Sequence, residues 1–175
     1  THPLVGQSPY SASKIGADQL ALSYHKSFDL PVKIARPFNT FGPRQSSRAI
    51  IPTIISQILN RSKKLNLGSL SPTRDFTYVM DTCKGFYEIF NHNLFFGEAT
   101  NIGTSNEISM GKLVETIKKT MESDILIAQK SERLRPEKSE VNRLYCDNTK
   151  LIKNSKWEIE YTLSSGLELT IEWMK

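Results

Sequence analysis

Ser8-Pro9-Tyr10-Ser11-Ala12-Ser13-Lys14, followed after one helical length by Pro31-Val32-Lys33-Ile34-Ala35-Arg36, decides the fold. Ser8 can cap a helix, and Pro9 sits at the first helical position, where a missing N–H costs nothing. Ile15, Leu20, Leu22 and Tyr24 carry that helix to about Phe28. Pro31 to Arg36 then reads as a short buried strand. A helix followed at once by an apolar strand is the tail of a βαβ series, so the sheet is expected to have earlier strands outside this chain.

Working outward, Pro37 to Arg48 reads as a loop holding Gly42-Pro43, and Ala49 to Asn60 as a helix patterned by Ile51, Ile54, Ile55, Ile58 and Leu59. Strands are expected at Lys64–Leu67, Asp75–Val79, Ala99–Ile102 and Ile125–Ala128. Helices are expected at Asp81–Phe90 and from the cap Ser109 to about Met121, with Asp147 and Ser164 or Ser165 capping two closing helices. Alternating helix and strand indicates an α/β fold.

Composition excludes several classes. With 38% hydrophobic and 23% charged residues, the chain can bury a core and is not a disordered type. The longest apolar run, Ala49 to Ile55, holds a proline and falls far short of the roughly 20 residues that span a bilayer, so no membrane partner is expected. The net charge of +5 comes from cations spread along the chain without a tract of five, which argues against nucleic acid. Cys83 and Cys146 lie far apart without a ligand pattern and read as reduced thiols in a cytoplasmic protein. His2, His25 and His92 show no metal-ligand spacing, so no metal is expected. The opening, Thr1-His2-Pro3-Leu4, reads like the middle of a longer protein. None of the nine glycines forms the G-x-G-x-x-G or G-x-x-G-x-x-G turn that a dinucleotide pyrophosphate needs at a helix N-terminus.

The chemistry starts at Tyr10 and Lys14. Four apart on a helix, they share a face. A free tyrosine, with a pKa near 10, is a poor base at neutral pH, and a neighbouring ammonium favours the phenolate. Such a pair can take a proton from a sugar hydroxyl while hydride leaves the carbon. Tyrosine and lysine meet at this spacing by chance on many helices, so the context has to decide. The small residues between the two let a cofactor or a neighbouring backbone approach closely.

That context resembles the extended short-chain dehydrogenase/reductase family, the NAD-dependent epimerases and dehydratases. Tyr10 to Lys14 looks like its active-site helix. Arg36-Pro37-Phe38-Asn39-Thr40-Phe41-Gly42-Pro43 resembles its R-x-x-N-x-[YF]-G-P stretch, and Arg74-Asp75-Phe76-Thr77-Tyr78-Val79-Met80-Asp81 its R-D-[FW]-x-[YF]-V-x-D. Asn101-Ile102-Gly103, Arg135-Pro136 and Asp147 to Lys150 with Trp157 are similar to its later motifs. The match is closest to nucleotide-sugar 4,6-dehydratases of the legionaminic-acid-pathway type. Glu137-Lys138 stands where glucose dehydratases carry a glycine-histidine pair, which disfavours a thymidine-diphosphate glucose substrate.

The resemblance implies the C-terminal part of a Rossmann-type doubly wound sheet plus a small α/β substrate-binding domain, with the N-terminal cofactor half absent. Residues 1–48 would end the Rossmann-type region, and residues 49–175 would form mainly the substrate domain, some segments returning to the sheet. Tyr10 would be the base and Lys14 its partner on the nicotinamide ribose of NAD, with Pro37 against the nicotinamide. Asn39, Arg74 and Arg135 would hold the substrate's diphosphate, where a guanidinium fork suits phosphate oxygens. Asn101 would orient the nucleotide end, and Gln45 and Arg48 would contact sugar or phosphate.

Other readings of the same residues stay open. Arg74 beside Asp75 fits a surface ion pair, Asn39 a turn former, Arg135 a solvated loop residue and Asp81 a helix cap. The implied activity is NAD-dependent 4,6-dehydration of a nucleotide-diphospho-N-acetylhexosamine by a cytoplasmic homodimer. A 4-epimerase or decarboxylase shares the first step, and an inactive truncated remnant is the reading from another class. The acidic pair that separates dehydratase from epimerase is expected upstream of Thr1. Without a pyrophosphate turn, the 175-residue chain by itself should bind NAD weakly and turn nothing over. Micromolar affinity in a calorimetric titration would contradict this.

Overall fold

The computed structural model describes residues 4–129 and 141–175. Helix α1 spans Pro9–Phe28 behind a reciprocal cap, in which Ser8 Oγ accepts from the Ser11 N–H and Ser11 Oγ accepts from the Ser8 N–H. Strand β1 (Ile34–Pro37) follows, then β2 (Asn39–Phe41), α2 (Ile50–Leu59), β3 (Lys64–Leu67) and β4 (Thr73–Tyr78). The chain continues through α3 (Val79–Asn91), β5 (Ala99–Ile102), β6 (Glu107–Ser109), α4 (Met110–Thr120) and β7 (Leu126–Gln129). Helices α5 (Thr149–Asn154) and α6 (Leu163–Met174) close it. The α/β order read from the sequence stands.

Three small sheets result. β1 pairs in parallel with β5, and β3 with β7. β4 lies between β2, which is parallel to it, and β6, which is antiparallel. The larger core sits under the middle sheet. α2 and α4 each present apolar residues at helical spacing (Ile51, Ile54, Ile55; Leu113, Val114, Ile117), and these pack with Phe41, Leu65, Leu67 and Leu167. Fully burying one such isoleucine or leucine contributes about 1.5–3 kcal/mol. Pro52 is tolerated in α2 because it falls in the first turn, where its missing N–H has no partner to lose. A second cluster joins Ile89, Phe95, Ile102, Leu151 and Trp157 behind β1 and β5.

Helix α1 is different, since none of its residues is buried. Its side-chain links to the body include the Arg36–Asp18 ion pair at 2.7 Å. Leu20 and Phe28 are 62% and 68% exposed, Phe28 meeting the Tyr24 ring of the same helix at 5.6 Å between centroids.

Several sequence expectations are corrected. The first strand starts at Ile34, because the Val32 N–H turns back to the Leu30 carbonyl at 2.8 Å. The expected loop from Pro37 to Arg48 contains β2, a strand of three residues that exists because β4 supplies its partner. The loop proper then turns at Gly42 and Arg44, both at positive φ (148° and 66°), and a Cβ on Gly42 would meet Val79 Cγ1 at 2.6 Å. The closing helices are capped by Asn148 and Thr162 rather than by Asp147 and Ser164 or Ser165. Asp147 still accepts the Thr149 N–H at 3.0 Å, one residue before the assigned cap. β6 was not foreseen.

Asp81 caps nothing by its side chain, although it lies in the first turn of α3. It is fully buried and accepts the N–H groups of Glu160 and Tyr161 at 3.2 and 3.1 Å, tying the segment before α6 to α3. Burial pushes its carboxyl above the usual carboxylate range, and the two N–H donors pull against that shift.

Both cysteines are free, Cys83 exposed and Cys146 buried. Burial first, and then the nearby Asp75 and Asp147 charges, push the Cys146 thiol up to about 12. The thiolate is the reactive form. In the folded protein at pH 8, Cys83 should therefore react with an aromatic disulfide reagent and Cys146 only after denaturation. Two fast equivalents without denaturant would contradict this.

Candidate active site

A cavity of about 630 Å³ opens beside the middle sheet. Its walls come from three stretches far apart in sequence: the run from Phe38 through the start of α2, the turn from Leu67 to Pro72 with the β4 that follows it, and Met110 at the start of α4. Side chains on a strand alternate between faces. Arg74 and Phe76 therefore look into the cavity, while Thr73 and Asp75 look away from it.

Four sequence-predicted residues meet there: Asn39, Gln45, Arg48 and Arg74. Gln45 is held by its own loop, its Nε2 donating to the Thr40 carbonyl at 2.7 Å. Its Oε1 is buried and has no hydrogen-bond partner. Arg74 Nη1 donates to the carbonyls of Thr73 (2.8 Å) and Val141 (2.6 Å). Among the described residues, Arg48 and Arg74 are the charged groups of the wall.

Tyr10 and Lys14 do not line this cavity. They stand together on α1, with Lys14 Nζ 5.6 Å from the Tyr10 ring centroid. Tyr10 is 72% exposed. Lys14 is exposed as well. Pro37, at the end of β1, is exposed and also outside the cavity wall. Asn101 is not gathered with the others: it sits on β5, and its Nδ2 donates to the Asp147 carbonyl at 3.2 Å. Arg135 lies outside the described residues. Among the described residues, no group of three His, Cys, Asp or Glu could hold a metal, and no helix is long and apolar enough to cross a membrane.

The alternative reading of Arg74 and Asp75 as a surface ion pair is overturned. Asp75 is fully buried and faces the other way. Its Oδ1 accepts from the Thr104 N–H (2.9 Å) and Thr104 Oγ1 (2.7 Å), and its Oδ2 from the Cys146 N–H (3.3 Å). Sequence reasoning missed this tie. A carboxylate inside a strand of buried aromatics was the available signal, because such a group has to find donors.

The matched family model is described as GDP-mannose 4,6 dehydratase, and it covers residues 1–170. The chain belongs to this family. It is 34% identical over 171 residues to the low-salt glycan biosynthesis protein Agl12 of Haloferax volcanii, covering 98% of this chain and 54% of that protein. Among solved structures, it superposes on the dTDP-glucose 4,6-dehydratase of Bacillus anthracis in complex with NAD, with a TM-score of 0.86 and 32% identity, over 98% of this chain and 53% of that one. It also superposes on the UDP-glucuronic acid 4-epimerase of Bacillus cereus in complex with UDP-glucuronic acid and NAD, with a TM-score of 0.87 and 28% identity, over 97% and 53% of the two chains. The chain spans about half the length of the relatives it matches and corresponds to the C-terminal half of a Rossmann-type dehydratase or epimerase.

The Asp75 tie carries a consequence for stability. Asp75→Ala would strand two backbone donors in the interior, each worth about 1–3 kcal/mol when unsatisfied. Urea denaturation should show a loss of about 2–4 kcal/mol. An unchanged midpoint would contradict the assignment.

Proposed function

We propose that this chain is the catalytic and substrate-binding part of an NAD-dependent nucleotide-sugar 4,6-dehydratase acting on a nucleotide-diphospho-N-acetylhexosamine. One observation carries the reading. Asn39, Gln45 and Arg48, from the run after β1, meet Arg74 of β4 at a cavity whose charged wall groups, among the described residues, are guanidiniums. A guanidinium fork matches the oxygens of a diphosphate.

The residues present suit the nicotinamide end of NAD. Tyr10 and Lys14 share an exposed face of α1. When bound, NAD supplies a reversible hydride acceptor. Lys14 would hydrogen-bond the nicotinamide ribose beside Tyr10, and Pro37 would offer backbone to the nicotinamide. Tyr10 takes the proton of the sugar C4 hydroxyl. Arg48, Arg74 and Asn39 hold the diphosphate, so that binding energy from the non-reacting part of the substrate orients the sugar at Tyr10. The net reaction would be loss of water from the sugar across C5 and C6, with no net redox change. Arg135 is assigned to the diphosphate as well. The intact enzyme is read as a cytoplasmic homodimer.

A 4-epimerase is the second reading. It is favoured by the equally close superposition on the UDP-glucuronic acid 4-epimerase. Both readings use Tyr10 in the same first step.

The test joins this chain to a glycine-rich cofactor half and supplies NAD with UDP-, GDP- and dTDP-linked hexoses and N-acetylhexosamines. A 4-keto-6-deoxy product, seen by its base-induced ultraviolet absorbance, is the expected result. An epimer without that absorbance selects the second reading, and no turnover of any sugar sinks both. Tyr10→Phe should lower kcat by about 10²–10⁴-fold. Activity within a few-fold of the parent would remove Tyr10 from the role of base.

A further inference from the structure

Arg74 faces the cavity from a strand whose neighbouring positions, Thr73 and Asp75, point the other way and are both tied down. On that far face, Glu107 of β6 lies directly opposite Asp75. Its carboxylate is gripped by Arg143. Arg143 Nε reaches Glu107 Oε1 and Oε2 at 2.8 and 3.0 Å, and Nη2 reaches Oε1 at 2.7 Å. Thr73 Oγ1 donates to the same carboxylate at 2.6 Å. The Arg143 guanidinium carbon also lies 5.2 Å from the Tyr145 ring centroid.

Backbone contacts run through the same place. The Thr73 N–H donates to Asn142 O at 2.9 Å, and the Leu144 N–H to Thr73 O at 3.1 Å. Residues 142–144 thus lie alongside the start of β4, and Val141 lies just before them. The Val141 carbonyl is, with that of Thr73, one of the groups that accept from Arg74 Nη1. The position of that acceptor depends on how residues 142–144 dock on β4.

We propose that the Glu107–Arg143–Thr73 clasp is a positioning device for Arg74. It holds the Val141 carbonyl where it directs the guanidinium into the cavity, and so sets affinity for the diphosphate of the substrate without taking part in the chemistry. A bidentate fork suits this role better than a single contact, because two parallel hydrogen bonds define an orientation as well as a distance. The Arg143 side chain is 67% exposed, so an isolated pair there would add little to stability. Its value is geometric. Glu107 also sits below the usual carboxylate range, first because of its hydrogen bond from Arg143 and then because of that from Thr73, so it stays ionised at neutral pH.

The proposal rests on the reading of Arg74 as a diphosphate contact, and a double-mutant cycle separates the two. In the same joined protein, Arg143→Gln and Glu107→Gln should each raise KM for the sugar nucleotide about 10-fold and leave kcat within about twofold. Arg143→Lys, which keeps the charge but loses the fork, should recover only part of that. Arg74→Ala should raise KM further, and Arg74→Ala with Arg143→Gln should be no worse than Arg74→Ala alone, because the clasp then has nothing to aim. A lowered melting temperature with unchanged KM, or effects of the two changes that simply multiply, overturns the positioning role while leaving Arg74 in place. An unchanged KM in Arg74→Ala overturns the diphosphate assignment itself. Should Arg143→Gln fail to fold, Glu107→Gln, which preserves shape, carries the same cycle.

Discussion

A buried carboxylate with three donors holds this chain together where its elements converge. Asp75 sits at the middle of β4, takes the Thr104 N–H and hydroxyl with one oxygen and the Cys146 N–H with the other, and is shielded from water. An ionised group in such a place is tolerable only while every donor is aimed at it. The turn after β5 and the stretch leading to α5 are consequently fixed to one strand. Beside them, the Asn148 Nδ2 donates to the Gly103 carbonyl at 2.7 Å, and Ser105 Oγ donates to the Cys146 carbonyl at 2.9 Å.

That arrangement makes β4 a two-sided strand. One face is spent on polar ties, and the other bears Arg74 and Phe76 toward the cavity. A guanidinium offered to a ligand needs a backbone that does not shift on binding, since disorder in the free state would be charged against affinity. Asp81 plays a comparable part at the other end of β4, where it secures the approach to α6 through two backbone N–H groups. Both buried carboxylates thus serve structure.

Helix α1 is held on other terms. It carries the proposed base, yet none of its residues is buried, and its leucine at position 20 and phenylalanine at position 28 are exposed. The proposed chemistry and the proposed substrate grip are therefore supported differently: the grip by a packed core, the base by a helix with few contacts to the body.

Much of this was legible in the residues. The serine–proline start of α1, the isoleucine spacing of α2 and the Ser109 cap of α4 act over one or two helical turns, so local chemistry alone determined them. The Tyr10–Lys14 pairing follows from helical spacing, and the grouping of Asn39, Gln45, Arg48 and Arg74 was anticipated from ordered motifs. Tertiary structure alone decided the rest. β2 and β6, three residues each, carry too little pattern to announce a strand and exist through pairing with β4. Asp75 reads as half of a surface ion pair and Asp81 as a helix cap until their donors arrive from residues 29 to 80 positions away. Nor could spacing place Asn101 on Asp147 instead of the cavity, because a hydrogen bond across the fold depends on how the sheets stack rather than on neighbours in the chain.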